Sequence, residues 1–209
     1  MKPVCLVLGA GAGIGGTVAT KFAQEGYHSS LCRRSDKEGL DRLVKNIEDQ
    51  GGSANGYIMN AIEDNAIEEV ITSIESDIGP IEVLVYNLGA QTGMKLLDQT
   101  SHKEFEWGWR MASFGLFRAA KVLCPLMLER GKGTFLVTSA TAAMRGNMNQ
   151  HSHAAAMGAR RMLCQSLNAE FSSQGIHVVH IVVDGAVDAP DTLGKMMGPE
   201  SVSYTHLTL

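Results

Sequence analysis

The sequence predicts a single α/β domain in which helices cover both faces of a doubly wound, parallel sheet. Two observations support this fold class. Strand-like apolar runs alternate with helical patterns along the chain, and runs such as Val-Leu-Val-Tyr and His-Val-Val-His-Ile-Val-Val are almost entirely apolar. Strands of this kind are buried on both faces, which requires a helix layer on each side. With 209 residues, 44% of them hydrophobic, the chain suits one core.

Six strands and five intervening helices are predicted. The strands cover residues 4–8, 29–32, 56–59, 81–86, 133–138 and 177–183. The helices cover residues 14–25, 37–49, 65–78, 104–129 and 153–172. Because ligands of such sheets bind beyond the carboxyl ends of the strands, functional residues are expected directly after each strand.

The chain beyond residue 183 fits this pattern less well. Residues 191–197 predict a short helical piece, whereas residues 199–209, ending in Ser-Val-Ser-Tyr-Thr-His-Leu-Thr-Leu, match no expected element. We interpret residues 199–209 as an unassigned tail that is a cloning or frame scar. Truncation after the sixth strand is expected, and it would leave residues 177–183 as an apolar sheet edge.

Charge and cysteine usage exclude several classes of partner. The formal net charge of −4 gives no basic surface for nucleic acid or anionic lipid. Because the N-terminal apolar run breaks into glycines after about five residues, no signal peptide is expected, and no stretch is expected to be long enough to cross a membrane. Four cysteines without Cys-x-x-Cys spacing indicate core residues in a reducing compartment, so we expect a cytoplasmic protein. His151 and His153 do not share a helix face, and no metal site is predicted.

A glycine-rich turn follows the first strand and opens the first helix. Its candidate binding residues are Gly9, Gly11, Gly13, Ile14 and Gly15. Glycines let backbone amides approach a pyrophosphate, which the helix N-terminus also attracts. A tight strand-to-helix turn can need glycines for its backbone angles alone, but the βα units that follow favour dinucleotide binding. Residues 1–198 are therefore interpreted as a dinucleotide-binding domain.

The residues after the second strand predict which dinucleotide binds. An NAD site usually has an acidic residue there to hold the ribose diol, but this chain has Cys32 followed by Arg33 and Arg34. Two guanidinium groups suit a 2′-phosphate, so we predict NADP(H), with NAD as the alternative. In the competing interpretation both arginines are solvated charges and Asp36 caps the next helix.

These motifs resemble the short-chain dehydrogenase/reductase family over residues 3 to about 198. The matching segments are Gly9-xxx-Gly13-x-Gly15, Tyr86-Asn87-Leu88-Gly89, and Gly175-Ile176-His177-Val178 leading into Asp184-Gly185. The resemblance implies a Rossmann-like fold and a nicotinamide cofactor.

The resemblance also assigns cofactor contacts. Asn87 and Gly89 inherit support of the glycine turn and of the adenosine ribose. Asn60, followed by Ala61, lies where the family usually has an adenine-binding Asp. The backbone of Val187 lies at the place that meets the nicotinamide carboxamide.

The family's chemistry uses Asn, Ser, Tyr and Lys side chains, and this chain keeps none of them at the aligned places. The corresponding places hold Ala112, Ala140, His153 and Met157. A frame shifted by two residues would put His151 and Ala155 at the Tyr and Lys places instead. Neither register restores a Tyr-xxx-Lys pair.

His153 is the candidate replacement for the tyrosine. An imidazole has an unperturbed pKa near 6.5 and can protonate a developing alkoxide without help from a lysine. Ser139 or Thr141 would donate a hydrogen bond beside it. In the alternative interpretation His153 is a polar residue at a helix start that faces water.

The sequence is compatible with two functions. The first is an NADP(H)-dependent oxidoreductase that acts on a small-molecule carbonyl or alcohol. The second is a catalytically silent dinucleotide-binding module, such as a redox sensor or an interaction subunit, which the substitutions at positions 112, 140 and 157 favour. The resemblance further implies a homo-oligomer formed through residues 104–129 and 153–172.

Overall fold

The computed structural model describes residues 2–89, 94–185 and 187. Its strands are β1 (Val4–Leu8), β2 (His28–Arg33), β3 (Ser53–Ile58), β4 (Ile81–Tyr86), β5 (Gly133–Ala140) and β6 (Ile176–Val183). Its main helices are α1 (Ile14–Gln24), α2 (Lys37–Asp49), α3 (Ala66–Asp77), α4 (His102–Trp109), α5 (Gly115–Arg130) and α6 (His151–Phe171). The predicted helical piece near residues 191–197 and the tail 199–209 lie outside the described residues.

All six strands form one parallel sheet in the order β3-β2-β1-β4-β5-β6. The chain runs outward from β1 to β3, returns across the sheet, and continues outward from β4. The connection that follows β1 and the connection that follows β4 therefore run in opposite directions along the sheet. This divergence opens a crevice at the carboxyl ends of β1 and β4. The predicted Rossmann-like fold is confirmed.

Two helix layers bury the sheet. On one face, isoleucines of α3 pack with Leu116 and Leu123 of α5 against residues such as Phe135 of β5. On the other face, Ala19 of α1 and Leu40 of α2 pack against the first two strands. The apolar residues of β1 point alternately into these two clusters, which is why its five residues are all buried.

The third strand is longer than its apolar pattern indicates. It begins at Ser53, three residues before the predicted start, and two of the three added residues, Ser53 and Asn55, are polar. His28 of β2 contacts the Ser53 hydroxyl through Nδ1 at 2.7 Å and the Asn55 side-chain oxygen through Nε2 at 2.9 Å. Side-chain hydrogen bonds thus support strand pairing here in addition to the burial of Ala54.

The predicted helix over residues 104–129 is interrupted. A five-residue π-helical segment, Arg110–Phe114, joins α4 to α5. Side chains from elsewhere supply partners to two of its carbonyl oxygens: the Tyr86 hydroxyl donates to Met111 at 2.5 Å, and Arg160 Nε donates to Ala112 at 2.9 Å. Such segments are frequently found at functional sites.

The whole stretch His102–Arg130 is long and apolar enough to cross a membrane by length and composition. The expectation that no stretch reaches this length is therefore wrong. Of its most apolar window, 61% is buried inside the protein. Core helices of globular proteins meet the same two criteria, and Leu116, Leu123 and Met127 here belong to the main core.

The sheet ends at β6 within the described part of the chain. This strand pairs with β5 alone, and Ile181 and Val182 are 39% and 40% exposed. The apolar edge that the sequence predicted is thus present among the described residues.

Candidate functional site

Close backbone contacts leave no room for a side chain at two positions of the glycine turn, Gly9 and Gly15. Gly9 has a φ of +95°, and a Cβ there would lie 2.7 Å from the carbonyl oxygen of Asn87. A Cβ at Gly15 would overlap the carbonyl oxygen of Gly9. The backbone of the turn is therefore packed against itself and against the end of β4, which requires glycine at both positions.

Asn87 fixes the turn from the neighbouring strand. Its Nδ2 donates to the carbonyl oxygen of Gly9 at 3.0 Å, and its backbone N–H donates to the carbonyl oxygen of Leu8 at 2.9 Å. The sequence placed Asn87 beside the glycine turn, and the structure brings the two together. Gly89 follows at an exposed position.

The open side of the turn offers a place for a pyrophosphate. No atom lies within 4 Å of a Cβ built on Gly11, and Gly13 is the N-cap of α1. The first turn of α1 has no acidic residue. Amides at a helix start lack intrahelical acceptors and carry partial positive charge, so these residues fit an anionic group.

The two arginines after β2 differ in their surroundings. Arg33 is partly buried and forms an ion pair with Asp36 at 3.0 Å, whereas Arg34 is exposed. Asp36 also accepts a hydrogen bond from the Gly39 amide at 2.9 Å and caps α2. A carboxylate half-exposed to water holds Arg33 only weakly, so a phosphate could compete for the guanidinium.

The residues after β3 lie at the carboxyl ends of the strands, as do the glycine turn and the two arginines. The Asn60 side chain donates to Glu63 at 3.0 Å. The carbonyl oxygen of the buried Ala61 accepts from Arg118 Nη1 at 3.0 Å. Arg118 is itself ion-paired with Glu68, and this hydrogen bond lowers the pKa of Glu68. The loop is thereby tied to α3 and α5.

A cleft of about 330 Å³ lies at the carboxyl ends of β4, β5 and β6. Ile14 from the glycine turn lines one part of it and Val187, after β6, lines another. Between them, β5 contributes Ser139 and α6 contributes His153. Residues that the sequence singled out on four separate segments thus meet at one cavity.

The candidate proton donor lies inside this cleft. His153 is only 8% exposed, so the alternative that it faces water is wrong. Ser139 is buried, and its hydroxyl lies 3.8 Å from the Met157 sulfur. Thr141, the other candidate hydrogen-bond donor, is exposed in the short 3₁₀ segment after β5 and is not one of the cleft-lining residues.

Comparison with known proteins identifies the family. The family model for short chain dehydrogenase matches residues 3–195. The chain belongs to the short-chain dehydrogenase family. The resemblance predicted from the glycine turn and the two later motifs is confirmed.

Relatives of this short-chain dehydrogenase match most of its length. The 3-oxoacyl-[acyl-carrier-protein] reductase FabG of Thermotoga maritima is 29% identical, with 99% of this chain and 89% of the relative covered. A solved short-chain dehydrogenase from Rhodopseudomonas palustris is 30% identical with a TM-score of 0.80, covering 86% of this chain and 84% of its own. A short-chain dehydrogenase from Sphingobium yanoikuyae, solved in complex with NADPH, is 26% identical with a TM-score of 0.80, covering 88% and 71%.

The positions predicted to replace the family's polar side chains are neighbours in space. Ala112 and Met157 belong to one apolar cluster, against which Ala140 packs. Of these three side chains, Ala140 and Met157 line the cleft of this short-chain dehydrogenase. His153, which the first register puts at the Tyr place, lines it as well.

Arg160 is a cleft residue that the sequence reasoning missed. It lies seven residues after His153, on the same face of α6, and is 1% exposed. Its side chain donates to the carbonyl oxygens of Ala112 at 2.9 Å, Thr138 at 2.6 Å and Leu88 at 2.6 Å. The helical spacing from His153 was the one signal that could have found it.

The Arg160 guanidinium also lies over the Tyr86 ring, 5.1 Å from its centroid. Burial lowers the pKa of Arg160, although an arginine stays protonated in proteins. Burial raises the pKa of Tyr86, so the phenol is neutral and remains the hydrogen-bond donor to Met111. Arg160 also lowers the pKa of His180, after the larger effect of burial.

The cysteines are core residues. All four are free and buried, and burial raises the pKa of the Cys124 and Cys164 thiols to about 11. Cys5 and Cys32 are shifted in the same direction by the same cause. Thiols in this state are poor nucleophiles.

The packing of the glycine turn can be tested by adding one methyl group. Gly15→Ala places a Cβ against the Gly9 carbonyl, so we expect a loss of about 1–3 kcal/mol of stability. For a chain of this size that corresponds to a melting temperature lower by about 3–10 °C. Gly11→Ala, where the Cβ meets open space, is the matched control and should change stability by less than about 0.5 kcal/mol. Equal melting temperatures for the two variants would contradict the packing argument.

Proposed function

We propose that this short-chain dehydrogenase is an NADP(H)-dependent oxidoreductase that acts on a small-molecule carbonyl or alcohol. One observation carries the proposal: a single cleft is lined by Ile14 of the glycine turn, by His153 and Ser139, and by Val187. A dinucleotide held at the turn would extend into a cavity that also contains a proton donor and a hydroxyl. The NADPH complex of the Sphingobium relative supports the choice of cofactor.

The cofactor would be held along the carboxyl ends of the strands. The pyrophosphate would rest on Gly11, Gly13 and the start of α1, and Arg33 would turn from Asp36 to the 2′-phosphate. Asn60 and Ala61 would border the adenine, as the resemblance implies, and Asn87 with Gly89 the ribose. Val187 would meet the nicotinamide carboxamide through its backbone.

The cleft residues would handle the proton and the substrate oxygen. When bound, the dinucleotide supplies or accepts the hydride. As negative charge develops on the carbonyl oxygen, the protonated His153 side chain would donate a proton to it, and in the reverse direction the neutral imidazole would accept one. Ser139 would donate a hydrogen bond to the same oxygen and orient the carbonyl, whereas Thr141, the other candidate, is not among the residues that line the cleft.

A second candidate function is a catalytically silent dinucleotide-binding module. The apolar cluster that contains Ala112, Ala140 and Met157 favours the silent module, because these side chains have no exchangeable proton. Cofactor binding is common to both functions, so turnover separates them.

The four buried thiols suit a reducing compartment, and we propose a cytoplasmic location on this basis together with the curated bacterial reductases that the chain resembles.

Substitution of the candidate proton donor tests the enzymatic function. His153→Phe should lower kcat by about 100-fold or more in NADPH-dependent reduction of ketones and aldehydes, while the Kd for NADPH changes little. His177→Phe, at an exposed position at the far end of β6, is the control and should keep full activity. Undiminished turnover in His153→Phe would remove His153 from the mechanism, and absence of turnover in the wild type would favour the silent module.

Substitution of Arg33 tests the cofactor preference. Arg33→Ala should weaken NADPH by about tenfold or more, the effect of losing a charge-assisted hydrogen bond, and should leave NADH within about twofold. Both values are measurable by fluorescence titration of the reduced nicotinamide. Arg42→Ala removes an exposed charge of α2 and serves as the control. Equal losses for NADPH and NADH would reject the 2′-phosphate assignment.

An exposed aromatic strip supports the proposed homo-oligomer. Phe105, Trp109 and Phe117 lie on α4 and α5 and are 46%, 43% and 45% exposed. Phe114 stacks between the last two, with ring centroids 5.1 Å from Trp109 and 6.3 Å from Phe117. The strip lies on one of the two long helical stretches through which the resemblance implies association, so we propose a second copy of the chain as its occupant.

Disruption of the aromatic strip should change the molecular mass in solution. Trp109→Glu puts a charge in the middle of the strip and should weaken self-association by about 30-fold or more, the effect of losing an interface hot spot. Light scattering after size exclusion gives the mass over a range of concentrations. Met148→Glu, at a position that is 77% exposed, is the control. A monomeric wild type would disprove the oligomer, and a Trp109→Glu variant as oligomeric as the wild type would exclude this surface.

A further inference from the structure

Arg160 brings an isolated positive charge to the cleft. The three hydrogen-bond acceptors of its guanidinium are backbone carbonyl oxygens, which are dipoles without net charge. Among residues 2–89, 94–185 and 187, no carboxylate forms an ion pair with it. The other buried arginine, Arg118, is paired with Glu68 at hydrogen-bonding distance.

The surroundings of Arg160 keep its charge effective. The side chain is 1% exposed, so water screens it little, and the Tyr86 ring beside it is neutral. No carboxylate is among the described residues that line the cleft, where Ala140 and Met157 carry no charge and His153 is the other ionisable side chain. A buried charge in such surroundings acts over a longer distance than one at the surface.

The two oxidation states of a nicotinamide differ in charge at the ring that this cleft would receive. The oxidised ring is a pyridinium with one positive charge, and the reduced ring, which has gained a hydride, is neutral. Val187, at the place that meets the carboxamide, lines the same cleft as Arg160. A fixed cation there repels the oxidised ring and does not repel the reduced one.

We propose that Arg160 makes the cleft bind the reduced dinucleotide more tightly than the oxidised one. The inference rests on the proposed function, because it requires a nicotinamide in the cleft, and it adds a preference for one oxidation state of the cofactor. When both forms are present at similar concentrations, a chain with this preference is occupied mainly by the reduced dinucleotide. Its occupancy therefore follows the concentration of the reduced cofactor.

The ratio of two dissociation constants tests the role of the charge. The Kd for NADPH is measured by nicotinamide fluorescence, and that for NADP⁺ by displacement of NADPH. We expect the wild-type ratio Kd(NADP⁺)/Kd(NADPH) to be about tenfold or more, which corresponds to a reduction potential of the bound couple about 30 mV higher than that of the free couple. Arg160→Gln keeps a hydrogen-bond donor and removes the charge, so the ratio should fall about tenfold. Arg160→Lys keeps the charge and should retain the ratio.

Arg130→Gln is the matched control. Arg130 is partly buried and, like Arg160, is bonded to a backbone carbonyl, that of Ile81, but it lies at the amino ends of the strands and is paired with Glu75. Its loss should leave the ratio unchanged. Comparison of Gln with Lys at position 160 separates charge from structure, because both remove the three-way hydrogen bonding and only one removes the charge.

Each outcome decides the inference. A wild-type ratio near one overturns it without any variant, so the test does not depend on whether Arg160→Gln folds. A ratio equally reduced in the Gln and Lys variants would also overturn it, because geometry and not charge would then set the preference. Failure of the wild type to bind either form would overturn the proposed function itself, and the inference with it.

Discussion

Three separate segments of the chain meet at one side chain. Arg160 of α6 donates hydrogen bonds to Leu88 after β4, to Thr138 at the end of β5, and to Ala112 in the π-helical segment. A buried guanidinium without these acceptors would be strongly destabilising, and the three carbonyl oxygens would lose their partner. The shape of the cleft therefore depends on this group of hydrogen bonds.

The same hydrogen bonds connect the cleft to the long helix. The π-helical segment brings the carbonyl oxygens of Met111 and Ala112 toward the sheet, where Tyr86 and Arg160 satisfy them. Tyr86 in turn lies under the Arg160 guanidinium. The interruption of the helix, the orientation of the tyrosine and the buried cation are thus parts of one arrangement.

The glycine turn and the cleft are constrained in different ways. At the glycine turn, Gly9, Gly15 and Asn87 are in backbone contact, so a side chain larger than hydrogen is excluded at the two glycines. In the cleft, Ala112, Ala140 and Met157 pack in one apolar cluster, and Ala140 and Met157 line the cavity. The glycine turn is therefore constrained by backbone contact, and this part of the cleft by apolar packing.

The sequence by itself determined the succession of six strands and intervening helices along the chain. It also determined the glycine turn and the position of Asn87 after β4. These features follow from local periodicity and from backbone geometry that only glycine permits. Strand β3 was predicted too short because its first residues pair through polar side chains, which apolar periodicity does not record. Only the tertiary structure decided that His153 is buried, that Thr141 is exposed beside a buried Ser139, and that Arg160 lines the cleft. The partners of Arg160 are backbone atoms between 22 and 72 residues away, and carbonyl oxygens carry no signature in the sequence.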